Sequence, residues 1–169
     1  MELLDAILKR RSIRRFTKDK INIEKIDILL KAAMSAPSAA NRKPWEFYVI
    51  TDEKILNELR SASKYTNYEA SLAIIVCGNL TKALDEPNTS YWIQDCSAAS
   101  ENILLAATDM NLGSVWCGVY LQKDAVDRVS RILDLSSDLI PLNIIYIGYQ
   151  LSETEPKDYY DEKHVHYYK

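Results

Sequence analysis

Residues 10 to 16 read Arg10-Arg11-Ser12-Ile13-Arg14-Arg15-Phe16, four arginines and a serine in an otherwise acidic chain. A guanidinium offers a rigid fork of donors that matches phosphate oxygens, and a nearby hydroxyl adds one more bond. The spacing therefore proposes an anion site, with a phosphorylated cofactor or a nucleic acid as ligand. The plainer reading is a solvated helix end, where cations favour the negative pole of the dipole. Only four glycines occur, Gly78, Gly113, Gly118 and Gly148, and neither G-x-G-x-x-G nor G-x-x-x-x-G-K-[ST] can be written from them. Whatever binds the arginines is held without the usual phosphate-cradling turn.

The elements that must carry this segment follow from periodicity. Leu3, Leu4, Ile7 and Leu8 share one face of a first helix that ends in the arginines. A second helix, about 23 to 35, turns Ile23, Ile26, Leu29, Leu30 and Ala33 inward and stops at a glycine-free polar turn from Ser35 to Pro44. Glu46 to Ile50 reads as a strand, and Thr51-Asp52 can cap a helix with Ile55, Leu56 and Leu59. Leu72 to Cys77 is an unbroken apolar run, a buried strand. The longest helix spans about 90 to 111, stopped by Asn111 and Gly113. A strand at 114 to 120, a helix at 123 to 133 and a buried strand at 142 to 149 follow, then an aperiodic tail with four tyrosines. Alternating helices and strands without repeat or linker read as a single layered α/β-type domain over residues 1–169.

Composition narrows the classes. With 47% hydrophobic and 27% charged residues the chain is of the ordinary globular type. A net charge of −3 gives no overall field for nucleic acid or an anionic membrane. No apolar run reaches the roughly 20 residues of a membrane helix, and the first residues lack a signal-peptide pattern. Three dispersed cysteines, Cys77, Cys96 and Cys117, suit a reducing cytoplasm better than a disulfide framework. His164-Val165-His166 is too small a ligand set for a metal site.

Four blocks in order shift the weighing between the two readings of the arginines. Pro37-Ser38-Ala39-Ala40-Asn41-Arg42-Lys43-Pro44-Trp45-Glu46-Phe47 resembles the S-P-S-x-x-N-x-Q-P-W-x-F turn of the FMN-dependent nitroreductase family, whose opening motif is R-R-S-x-R-x-F. Asp95, Ala99, Asn102 and Leu105-Ala106-Ala107, then Leu112-Gly113-Ser114-x-Trp116-x-Gly118, resemble its central helix and following strand. Ile147-Gly148-Tyr149 and Pro156-Lys157 resemble its C-terminal stretch.

The resemblance implies an α+β fold: a three-layer α/β/α domain with a mixed, largely antiparallel central sheet and a C-terminal tail extending onto a dimer partner. It implies FMN at a homodimer interface, with NAD(P)H as a transient reductant. Arg10, Arg11, Ser12 and Arg14 would take the phosphate, the ribityl chain and the pyrimidine edge. Pro37, Ser38, Ala39 and Asn41 of the partner would line the isoalloxazine, Cys117, Gly118 and Val119 would lie against it by their backbone, and Lys157 would return to the phosphate. The reaction implied is ping-pong reduction of a small nitroaromatic or quinone, with no side chain as an obligatory acid or base. Alternatives are a flavin-destroying or dehalogenating enzyme on this fold, or a non-enzymatic nucleic-acid module.

Three departures stand out. Lys43 replaces the glutamine before Pro-Trp, and only residues 79 to 90 stand where larger members insert helices. The tail has Lys157-Asp158-Tyr159 where the pattern often reads K-x-R, so one phosphate cation is missing. On the sequence alone, Tyr159→Arg is expected to restore it and tighten FMN binding. Cys117 is expected to be a packed residue, Cys77 core, Trp45 packing behind the turn, and Asn67 a distant contender for a flavin contact.

Overall fold

The computed structural model describes residues 2–152 and 155–169. Five helices and four strands are named in chain order: α1 Leu3–Lys9, α2 Ile23–Met34, β1 Trp45–Ile50, α3 Glu53–Arg60, β2 Leu72–Asn79, α4 Tyr91–Asp109, β3 Gly113–Gly118, α5 Lys123–Ile132 and β4 Leu139–Gly148. Local chemistry sets the boundaries. Asn22 caps α2 by accepting from the Lys25 amide at 3.1 Å, and Asp52 caps α3 by accepting from Ile55 at 3.0 Å. Helix α4 stops at Asp109, two residues before Asn111, which takes the left-handed conformation (φ 57°) while the Leu112 amide reaches back to the Ala107 carbonyl. Asn111 therefore does the stopping, and Gly113 opens β3.

The four strands form one sheet in the order β1-β2-β4-β3, and every named pair is antiparallel. Alternation of helices and strands had suggested α/β layering. A fully buried strand is apolar on both faces whatever its direction, so its sequence leaves strand direction open. In β2, Leu72, Ile74 and Val76 pack towards α2 and α4, while Ala73, Ile75 and Cys77 pack on the other side. In β4, Ile145 and Ile147 join the first core and Ile144 and Tyr146 the second, which α3 and α5 close through Leu56, Leu59, Ala125 and Val129. The result is three layers, helices–sheet–helices, of α+β type.

The segment after α1 completes the edge of this sheet. Ser12 bridges Ser114 of β3 in parallel, the Ile13 amide donates to the Ser114 carbonyl at 2.8 Å, and the Thr17 amide donates to Tyr149 at 2.8 Å. That bridge makes the sheet mixed at its β3 edge. One residue that sequence periodicity turns inward, Ile23, is not inward, and the apolar face of α1 is also left uncovered. Ile23 is exposed at the start of α2, and α1 buries only Ala6, with Leu3 at 71% exposure and Leu4, Ile7 and Leu8 also facing out.

Gly113 and Gly148 leave room for that segment. A Cβ on Gly113 would stand 2.6 Å from Ile13, and one on Gly148 would stand 2.9 Å from Phe16 Cβ. We expect Gly148→Ala to destabilise the fold by about 1–3 kcal/mol. Gly118→Ala meets nothing within 4 Å and should leave the urea midpoint unchanged.

Candidate functional site

The strand-like lie of residues 12–17 separates the arginines by role. Arg10 pairs with Glu101 of α4 through Nε at 3.3 Å. Arg11 turns back on α1, its Nη1 donating to the carbonyls of Leu8 at 2.9 Å and Arg10 at 2.7 Å. Its Nε and Nη2 are buried and lack a partner among the described residues. Ser12 and Arg14 are exposed, and Arg14 donates weakly to the Ser12 carbonyl at 3.4 Å. Arg14 also lies near enough to Cys117 for its charge to be felt by the thiol. The segment thus lies at the Gly113–Ser114 end of β3 and continues against Tyr149 and Gln150.

At the other end of β3 Cys117 and Val119 are buried and Gly118 is exposed, with open space where a side chain would stand. Ser114 Oγ is buried without a partner among the described residues. From the tail, the Tyr159 ring lies over Arg11, its centroid 5.4 Å from the guanidinium carbon. Lys157, two residues earlier, is exposed.

The turn at 37–44 is built elsewhere. The Ala39 amide donates to the buried carboxylate of Asp95 at 2.9 Å, and Lys43 donates its amide to Ser38 Oγ at 3.0 Å. Ala40, Asn41 and Lys43 all take left-handed conformations, φ 49°, 55° and 50°. That is costly without glycine and is held by the surrounding bonds. Pro37 and Asn41 are exposed, Ser38 and Ala39 half-buried, and Trp45 is packed in the core behind them. This turn meets α4 at Asp95 whereas Arg10 meets it at Glu101, about 9 Å further along the helix and about 120° around it. No hydrogen bond or ion pair among the described residues joins 37–41 to 10–14. Asn67 is exposed, and no hydrogen bond or ion pair among the described residues joins it to the arginines either.

Sequence reading quoted Asp95 and Asn102 as motif positions without giving them work. The structure does: Asp95 anchors the turn, and Asn102 donates to the Ala32 carbonyl near the end of α2 at 2.9 Å. Their signal was polar residues placed on a helix that is otherwise apolar towards the core.

Layers, strand order and an arginine segment seated on the edge strand define a nitroreductase-type α+β domain. A family model described as the nitroreductase family matches residues 7–71 and 63–149. A protein of Methanothermobacter thermautotrophicus, provisionally named NADH dehydrogenase/NAD(P)H nitroreductase, is 38% identical over 168 residues, 98% of this chain and 86% of that one. An FMN-dependent nitroreductase from Clostridium difficile R20291 superposes with a TM-score of 0.88 at 31% identity, covering 97% of this chain and 98% of the other. An iodotyrosine deiodinase of Thermotoga neapolitana is 29% identical over 188 residues, 96% of this chain and 95% of that one. The chain belongs to the nitroreductase family, and the names of these relatives mark it as an oxidoreductase. Among the described residues no helix is long and apolar enough to cross a membrane.

The thiols are inert by environment. Burial pushes Cys77 up to about 12, with Glu46 adding to the effect. Burial also raises Cys117 to about 12 against the opposing charge of Arg14. Cys96 is raised by burial and by the neighbouring Asp95 carboxylate. All three should resist iodoacetamide at about pH 8 in the native protein and react on unfolding, as mass spectrometry would show. The unfolded chain releases these protons near 9.0 and the folded chain only near 12. Their stabilisation is therefore complete below about pH 9 and lost as pH rises towards 12.

Proposed function

We propose that the chain is an FMN-dependent NAD(P)H oxidoreductase that works as a homodimer on small oxidised acceptors of the nitroaromatic or quinone type. One observation carries this reading: residues 10–14 are fixed beside β3 at Ser114 and present cationic donors, two of them on Arg11 buried and unpaired among the described residues. A phosphomonoester attached to a flat ring fits that donor set. Arg10, Arg11, Ser12 and Lys157 hold the phosphate and ribityl chain, and Arg14 stands at the pyrimidine edge. The backbone at Cys117, Gly118 and Val119 lies against the ring, and Pro37, Ser38, Ala39 and Asn41 close it from the partner subunit.

When bound, FMN supplies the hydride chemistry, accepting from NAD(P)H and donating to the acceptor on one exposed face, which gives ping-pong kinetics. The residues of the chain orient the ring, keep water from one side and tune charge. Arg14 stabilises negative charge at the N1–C2 edge, and Cys117 stays protonated beside it.

The dimer rests on two observations. Residues 37–41 share no hydrogen bond or ion pair with the arginines within one chain, so on this reading they reach the flavin from a second chain. Leu4, Ile7 and Leu8 are also exposed on α1, and Leu3 on the same helix lines a groove of about 390 Å³ with Ala6, Ala32, Ser35, Asn102 and Leu105. An apolar helix face of that extent is a typical subunit contact. The likeness to an iodotyrosine deiodinase supports a second reading, reductive dehalogenation at the same site. An acceptor panel that includes a halogenated tyrosine separates the two.

Purified protein should show visible flavin absorption and sediment as a dimer. Ile7→Glu should yield a monomer that loses flavin. Arg10→Ala removes a charge-assisted phosphate bond, about 1.5–3 kcal/mol or one to two decades in FMN affinity. Arg14→Ala should lower the flavin reduction potential. A well-folded, flavin-loaded monomer would contradict the reading.

A further inference from the structure

The sequence counts Tyr159 as a cation lost from the tail, but its surroundings point to a different part in the site. One end of the Arg11 guanidinium is tied down, because Nη1 donates to the Leu8 and Arg10 carbonyls at 2.9 and 2.7 Å. One face is covered by the Tyr159 ring at 5.4 Å, within cation–π range. The remaining edge is Nε with Nη2, the parallel donor pair that accepts an oxyanion side-on. Both atoms are buried and unpartnered. A buried charged donor without an acceptor is costly, and an anion is the group that removes the cost.

We propose that Tyr159 is a positioning residue for the cofactor phosphate, its ring holding Arg11 so that the Nε–Nη2 edge makes two hydrogen bonds to phosphate oxygens. The proposal rests on the FMN reading above and deepens it. Arg11, recruited by Tyr159, replaces the second cation that a Lys-x-Arg tail supplies directly. Tyr159 is 74% exposed, so the ring has room to give way as the phosphate enters beside it. Covering one face of the guanidinium lowers the local dielectric and strengthens both bonds. Tyr159→Arg then has the opposite effect to the one expected from sequence. It removes the ring and sets a like charge against Arg11, so FMN binds more weakly.

The test compares FMN with riboflavin, which lacks the phosphate, by fluorescence titration of the full chain freed of flavin by dialysis. Tyr159→Leu should weaken FMN about three- to tenfold, and Tyr159→Phe, which keeps the ring, should bind as the parent does. Riboflavin affinity should be the same in all three. In an Arg11→Ala background, Tyr159→Leu should cost nothing further, because the ring acts through Arg11. Four results would overturn the proposal: an unchanged FMN affinity in Tyr159→Leu, equal weakening of riboflavin, losses that multiply in the double variant, or tighter FMN binding by Tyr159→Arg. Parent protein that binds neither flavin would overturn the FMN reading together with it, whereas parent protein that binds FMN isolates the failure to Tyr159.

Discussion

The site depends on a short run of backbone hydrogen bonds between residues 12–17 and the sheet. Ile13 donates to Ser114, Thr17 to Tyr149, and Leu151 donates back to Arg15 at 3.3 Å, while Phe16 bridges Gln150. Each such bond is modest, about 1 kcal/mol, but together they fix which side chains point inward. Ile13 seats over Gly113 and Phe16 over Gly148, so Ser12, Arg14 and Arg15 must face out. The pinning turns a basic helix end into a surface with defined geometry. It also explains two of the four glycines, which clear space for apolar anchors and not for turns.

Helix α4 is the ruler for the rest. Three of its polar side chains tie down segments of distant sequence: Asp95 the 37–44 turn, Glu101 the first arginine, and Asn102 the end of α2. The turn carries three left-handed residues without glycine, and such strain persists only where neighbours over-determine it. Rigid presentation of Ser38 to Asn41 towards a second chain is the use such a turn would have. The apolar face of α1, left to solvent in one chain, would be covered by that same association.

Much of the architecture was legible because the core is strongly patterned. The unbroken apolar runs in β2 and β4 and the cap at Asp52 placed most elements within a residue or two. Strand direction was not legible, since two-sided burial erases the alternation that would have reported it. Periodicity turned Ile23 inward where it is exposed, and it found the apolar face of α1 without telling what covers it, because an apolar stripe does not name its cover. In the site, the arginines were legible as a group but their division of labour was not. Arg11 departs from Arg10 and Arg14 only through contacts with α1 carbonyls and a tail tyrosine more than a hundred positions away.

The central claim is that the segment pinned on β3 binds a phosphomonoester as its dianion. Phosphorus NMR of the FMN-loaded protein tests it most directly. A free phosphomonoester takes up its second proton near about pH 6. Arginines at hydrogen-bond distance favour the dianion and move that event downward. The account predicts one bound resonance whose shift stays constant from about pH 8 to about pH 5. A bound phosphate that titrates near pH 6 as the free cofactor does would show that the arginines do not hold it, and would contradict the account.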